Sequence, residues 1–371
     1  MRLFISICSL LLAVQLFLAY RTSSEVNRNH PMFCTLPSIW EQVSKETQIG
    51  TFSNKDTLLE HELYVLSDSS DQPLLFYADI LTPVCIDGIC KPVYIELYWD
   101  LTGQYAGFGI YPDKPLTKFD HEEFSPEDYQ KMDRLLADNN SVLRRQELSD
   151  LFDEEADLEK KIEYQGVELD AVSGATKKEI KESIVEGALY SCYTLWHLIH
   201  GEATQKIESY LDSIYSDQLE AQLLYSEHEP YYYHALRTME AAAFEKYHDR
   251  IAEIFAIAKP LSRTYLLKKL PAGMLQEETI CQQFYQQFSS VDINTKTLLI
   301  ELAADAHPLA TSLLADHLED MTKNQLKKYL DLLTADTTKL TPLIRDKLEK
   351  AAASQSYTYS YLIEAWLLDQ N

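Results

Sequence analysis

A chain of 371 residues is longer than a single compact core normally fills, so two folded domains are expected. Its apolar content of 46% and charged content of 25% supply real cores and argue against wholesale disorder. A net charge of −25 repels phosphate backbones and disfavours nucleic acid as a partner. The acidity recurs along the chain, in "DHEEF", "FDEEADLE" and "YSEHEP". It reads first as solubility and second as a docking surface for basic partners.

Arg2 precedes an apolar run from Leu3 to Tyr20 that ends at "RTSSEV". Residues 1–24 are therefore expected to be a signal peptide, cut near Ser24, or a short membrane anchor. Either one places the chain outside the cytoplasm, in the periplasm or an equivalent compartment. Bulky Ile7 before Cys8 argues against a lipidated cysteine. Removal of the leader leaves Cys34, Cys85, Cys90, Cys192 and Cys281, an odd number, in a setting where disulfides are admissible.

Residues 25–200 are expected to form an α/β domain. The segments "HELYVLSD", "QPLLFYADILTPV", "KPVYIELYWDL" and "YAGFGIY" alternate apolar and polar positions and predict an antiparallel sheet. A Ser-Pro start at Ser125 opens a helical stretch. Within "TPVCIDGICKPV", Asp87-Gly88 is a two-residue hairpin turn. Its register sets Cys85 opposite Cys90 at a non-hydrogen-bonded pair, with Cα atoms ~4.5 Å apart, the short end of disulfide geometry. A bridge there is either a structural staple or a reducible dithiol. A single C-x4-C without a second ligand pair gives no metal site.

The stretch "LDAVSGATKKEIKES" precedes an apolar stripe of Ile180, Ile184, Ala188, Cys192, Leu195 and Ile199, which predicts one helix ending at Gly201. Thr176 can cap that helix, with Glu179 completing a capping box. The same helix start, with small Gly174 and Ala175 and with Lys177 and Lys178 beside it, also favours a phosphate.

Asp170-Ala171-Val172-Ser173-Gly174-Ala175-Thr176 resembles the D-x-x-S-G-A-T signature of FMN-binding domains, as in flavin-bearing components of the sodium-pumping NADH:quinone reductase and of the related electron-transport complex. The resemblance implies FMN joined covalently through a phosphoester to Thr176 by an extracytoplasmic flavin transferase. Asp170, Ser173, Gly174 and Ala175 would then shape the recognised turn. It also implies a flavin-dependent electron carrier or reductase with a protein redox partner.

His197 and His200 in "LWHLIHG" lack a third ligand at suitable spacing and read as helix-end residues. Tyr231, Tyr232 and Tyr233 in "PYYYHALR" offer rings for stacking or for packing. Residues 201–371 carry amphipathic segments and no strand signal, which predicts an all-α, HEAT-like or irregular helical array able to dock other proteins. The fold class expected is α+β: an FMN-binding-like antiparallel sheet with helices, then the array. The alternative function is a non-catalytic secreted interaction or scaffold protein whose S-G-A-T turn is only a helix cap.

Overall fold

The computed structural model describes residues 24–25, 31–54, 59–84, 91–118, 121–147 and 182–370. It is α+β, with two compact units, Met1–Leu219 and Glu220–Asn371.

The first unit is built on a seven-stranded antiparallel sheet: β1 (Ser24–Glu25), β2 (Phe33–Cys34), β3 (Lys45–Ser53), β4 (Glu60–Ser67), β5 (Pro73–Thr82), β6 (Val93–Trp99) and β7 (Tyr105–Gly109). The spatial order is β1-β3-β4-β5-β6-β7-β2, so a consecutive meander is flanked by two edge strands of two residues each. β1 pairs only with Lys45 and Glu46, so most of the outer edge of β3 has no strand partner among the described residues. The β2 edge lies so close that a Cβ on Gly107 would sit 2.1 Å from the Phe33 carbonyl oxygen. Only glycine fits there.

β4 through β7 arise where the alternating segments predict them. β3 has no such signal, because "KETQIGTFS" is mostly polar, only partly buried and interrupted by a register shift between Gln48 and Gly50.

One sheet face carries Phe52, Phe76, Trp99 and Phe108, all essentially inaccessible to solvent. Three helices cover it: α2 (Pro126–Ala137) against β7, α3 (Leu189–Ile199) against β6 and α4 (Glu202–Ser213) against β3. The Ser-Pro start of α2 is a full capping box, in which the Ser125 side chain accepts from the Asp128 N–H and the Asp128 carboxylate accepts from the Ser125 N–H. On the opposite face the short helix α1 (Pro37–Trp40) sets Trp40 edge-on to Tyr98, with centroids 5.2 Å apart.

The first unit extends beyond Gly201, where the sequence pattern suggested a division, because α4 is bound to the sheet. The Ser53 N–H and hydroxyl both donate to Glu202 Oε2, at 2.9 and 3.0 Å, and Phe76 meets Tyr210 edge-on. A second difference concerns the helix after the motif. Its described part is not continuous: Gly187 adopts φ +73° and α3 begins only at Leu189. Ile184, Ala188, Cys192, Leu195 and Ile199 are nevertheless all buried, so the apolar stripe registers the core while the chain bends within it.

Helix α5 (Asp217–Leu224) spans the division between the units. The second unit contains α6 (Glu229–Thr238), α7 (Ala241–Lys246), α8 (His248–Ile257), α9 (Pro260–Lys269), α10 (Glu278–Tyr285), α11 (Ile293–Leu302), α12 (Leu309–Leu314), α13 (Lys323–Ala335), α14 (Pro342–Ala353) and α15 (Ser360–Asp369). From α8 onward each helix packs on the next but one. One layer runs α8, α10, α12, α14 and the other α9, α11, α13, α15. Such stacking gives each helix pair a core only through its neighbours.

Buried tyrosines fasten the layers. Tyr285 donates to the Leu299 carbonyl, Tyr329 to Thr311 and Tyr357 to Leu318, each at 2.8 Å. Burial holds all three phenols above the ordinary tyrosine value, Tyr357 at about 12.

Candidate functional site

Asp170, Ser173, Gly174, Ala175 and Thr176 lie outside the described residues, as do Cys85, Cys90, Ile180 and the apolar run from Leu3 to Tyr20. What the structure describes is the ground on either side of the motif and of the cysteine pair. Thr82 lies opposite Val93 where β5 ends and β6 begins, on either side of the cysteine pair in sequence.

Downstream of the motif, α3 is held by its own polar side chains. Trp196 Nε1 donates to the Asp138 carbonyl at 2.9 Å, and His200 Nε2 lies 2.9 Å from the Leu136 carbonyl oxygen. His197 Nε2 lies 3.2 Å from the Leu143 carbonyl oxygen. Because a carbonyl only accepts, both rings carry their proton on Nε2 in these contacts. Trp99 Nε1 closes the set by donating to the Ile199 carbonyl at 2.9 Å. Leu136 and Asp138 belong to the C-terminal end of α2, where carbonyls lack intrahelical partners, so the "LWHLIHG" segment satisfies one helix end with the side chains of another.

These contacts give the histidines a structural task. Burial lowers the affinity of His200 for a proton and keeps its ring neutral. Among the described residues no group of three or more His, Cys, Asp or Glu is arranged to hold a metal.

The described cysteines are free thiols. Cys192 is fully buried, its sulfur accepts from the Val185 N–H at 3.4 Å, and burial pushes its thiol up to about 12. Cys281 is likewise pushed up by burial, to about 11. Neither supplies a thiolate nucleophile at neutral pH. Tyr231 and Tyr232 are buried on α6, with the Tyr232 ring 4.6 Å from that of Tyr233, so this run packs the helical unit.

The face of the sheet turned away from α3 and α4 carries a feature that the linear sequence conceals. Glu46, Glu60, Glu62, Tyr64, Tyr77 and Asp79 line a shallow groove of about 350 Å³. Asp79 stands directly across from Glu96 on β6. The Tyr64 hydroxyl donates to Glu62, and the Tyr98 hydroxyl donates to Glu96 Oε2 at 3.0 Å. The signal was the alternation in "EHELYVLS", where His61, Leu63 and Val65 turn inward and Glu60 and Glu62 outward. It becomes a groove only when strands from separate parts of the chain pair.

Charge divides unevenly between the units. Residues 1–219 contain 18 Lys and Arg against 37 Asp and Glu, whereas residues 220–371 contain 15 against 21. The recurrent acidity read along the sequence is thus mainly a property of the first unit.

No protein-family model, curated protein or solved structure matches this chain.

Proposed function

We propose that this protein is an exported flavoprotein that carries FMN covalently on Thr176 and transfers electrons outside the cytoplasm. The observation that carries the reading is the sequence Asp170-Ala171-Val172-Ser173-Gly174-Ala175-Thr176 in a chain with an apolar leader. The α+β architecture agrees with it, since an antiparallel sheet precedes the segment and a buried helix follows it.

The residues present suit the group chemically. Thr176 supplies a hydroxyl oxygen for a phosphoester, Gly174 and Ala175 add little bulk beside it, and Lys177 and Lys178 offset phosphate charge. Bound FMN would supply reversible redox chemistry at its isoalloxazine ring, while the protein supplies attachment and orientation. The chain's described contribution is a firm base. Tethered by Trp196, His197 and His200, α3 gives the segment before it a fixed anchorage on the sheet. A flavin transferase would be the partner that makes the ester, and a protein redox partner would exchange the electrons. Docking of such partners would fall to the helical unit.

The test is optical. Full-length protein co-produced with a flavin transferase should keep a flavin absorbance band through denaturation and gel filtration, and Thr176→Ala should lack it. A band lost on denaturation, or kept in the variant, rules out this attachment.

A further inference from the structure

We infer that the gap along the outer edge of β3 takes a short, basic, extended segment of a partner protein as an added antiparallel strand. The inference goes beyond the flavin reading and does not depend on it.

The gap is bounded at both ends. β1 pairs with Lys45 and Glu46 at one end, and the Glu202 carboxylate accepts the Ser53 N–H at 2.9 Å at the other. Among the described residues, no strand or backbone group pairs with Thr47 to Phe52 from the outer side. The edge is also open in space, since no described residue lies within 4 Å of the place that a Cβ on Gly50 would occupy. Strand residues present their N–H and C=O groups to the two sides in alternation. The Ser53 N–H points out of the sheet, so Thr51, two residues earlier, points its backbone groups the same way, and its side chain is exposed. An outward backbone donor and acceptor on an open edge are the groups that an added strand uses. The register shift between Gln48 and Gly50 keeps the regular stretch short, which suits a segment of a few residues.

Charge selects the occupant. Strands β3 to β6 carry Glu46, Glu60, Glu62, Asp79 and Glu96, against a single lysine, Lys45, which pairs with Asp71. Glu46, Glu60, Glu62 and Asp79 line one groove, and Thr51 on the edge stands directly opposite Glu62. A residue paired with Thr51 on an added strand would share its face of the sheet and lie about 10 Å, two strand spacings, from the Glu62 backbone. Extended arginine and glutamate side chains bridge that distance between them. Backbone pairing at the edge and carboxylates on the adjoining face thus both favour an extended segment whose alternate residues are cationic. A second copy of this chain would bring the same carboxylates against their like.

The probe is a fluorescent peptide of about seven residues, an ordinary strand length, in which Arg and Thr alternate. It is titrated into full-length Thr176→Ala protein so that no flavin is involved. Anisotropy should saturate. Methylation of the arginine backbone nitrogens, which face β3 in an antiparallel pair with Thr51, should weaken binding about tenfold or more, whereas methylation of the threonine nitrogens, which face away, should change it less than about twofold. Glu60→Gln/Glu62→Gln should also weaken binding about tenfold. Both positions are exposed, so unchanged far-ultraviolet circular dichroism will show that the variant folds. Absence of saturation, equal effects of the two methylations, or undiminished binding by the charge variant would each overturn the inference. So would tighter binding of a peptide copying residues 16–23, which would assign the edge to the chain's own leader. A dimer in sedimentation velocity that Thr51→Pro dissolves would assign it to a second copy and overturn the inference as well. The flavin band is read on separate samples, so either reading can fail alone.

Discussion

The sheet unit and the helical unit are stabilised by different kinds of contact. In the first, the decisive contacts join residues far apart in sequence: Trp99 to Ile199, Trp196 to Asp138, Ser53 to Glu202. In the second, contacts run between helices that are near neighbours along the chain, and the buried tyrosines span only 14 to 39 residues. A fold of the first kind must close long loops before its contacts form, whereas stacked helices assemble step by step. The sheet unit also carries most of the acidic excess, so its packing has to overcome more self-repulsion.

This contrast can be broken most severely at Trp99. Its ring is fully buried and its indole nitrogen is hydrogen-bonded, so Trp99→Ala should cost the sheet unit ~3–5 kcal/mol. Urea unfolding followed by circular dichroism should then show loss of the sheet well before loss of the helices; coincident loss would mean that the two cores are not separable.

In the helical unit, Tyr329→Phe removes one buried hydrogen bond to Thr311 and should cost about 1–2 kcal/mol, with the sheet transition unmoved. Smaller still is Thr322→Ala, which removes the cap of α13 and should cost ~1 kcal/mol in the same transition.

The mildest effect expected is one of pH. Burial depresses the proton affinity of His61 and His200 in the folded sheet unit, so unfolding allows them to take up protons. The stability that they contribute is complete above the ordinary histidine value, near 6.5, and declines as pH falls through the folded values. Melting temperature measured from about pH 7.5 to about pH 5 should fall, and the decline should weaken in His61→Phe/His200→Gln. An identical decline in the variant would assign the effect to other groups.

Legibility in the sequence follows the same division. Period-two alternation disclosed β4 to β7, and the Ser-Pro start disclosed α2, because these signals are local. β3 escaped because it is polar, half-buried and bulged, and takes its strand form from pairing with β4. The bend at Gly187 escaped because core surrounds the chain on both sides of it, so the apolar spacing persists across the break. In the helical unit, "ALRTMEAAAFEKYHDRIAEIFAIAK" reads as one amphipathic segment, yet it divides where Met239 turns extended and again at Tyr247. Local periodicity finds helical material more readily than it finds helix ends.

For the candidate site, the proposed chemistry rests on seven consecutive residues of the sequence, Asp170 to Thr176. The contacts that hold the helix after them are not legible there. The carbonyls of Leu136, Asp138 and Leu143 meet Trp196, His197 and His200 only through the fold, and those side chains read in the sequence merely as a helix end. The acidic groove has the same obstacle, since Glu62 and Asp79 occupy different strands.

The most direct measurement is the intact mass of the full-length protein produced with an active flavin transferase, beside Thr176→Ala produced in the same way. The wild type is expected to gain one FMN less the elements of water, and the variant nothing. An unshifted wild-type mass, with a known transferase substrate labelled in the same cells, would contradict it.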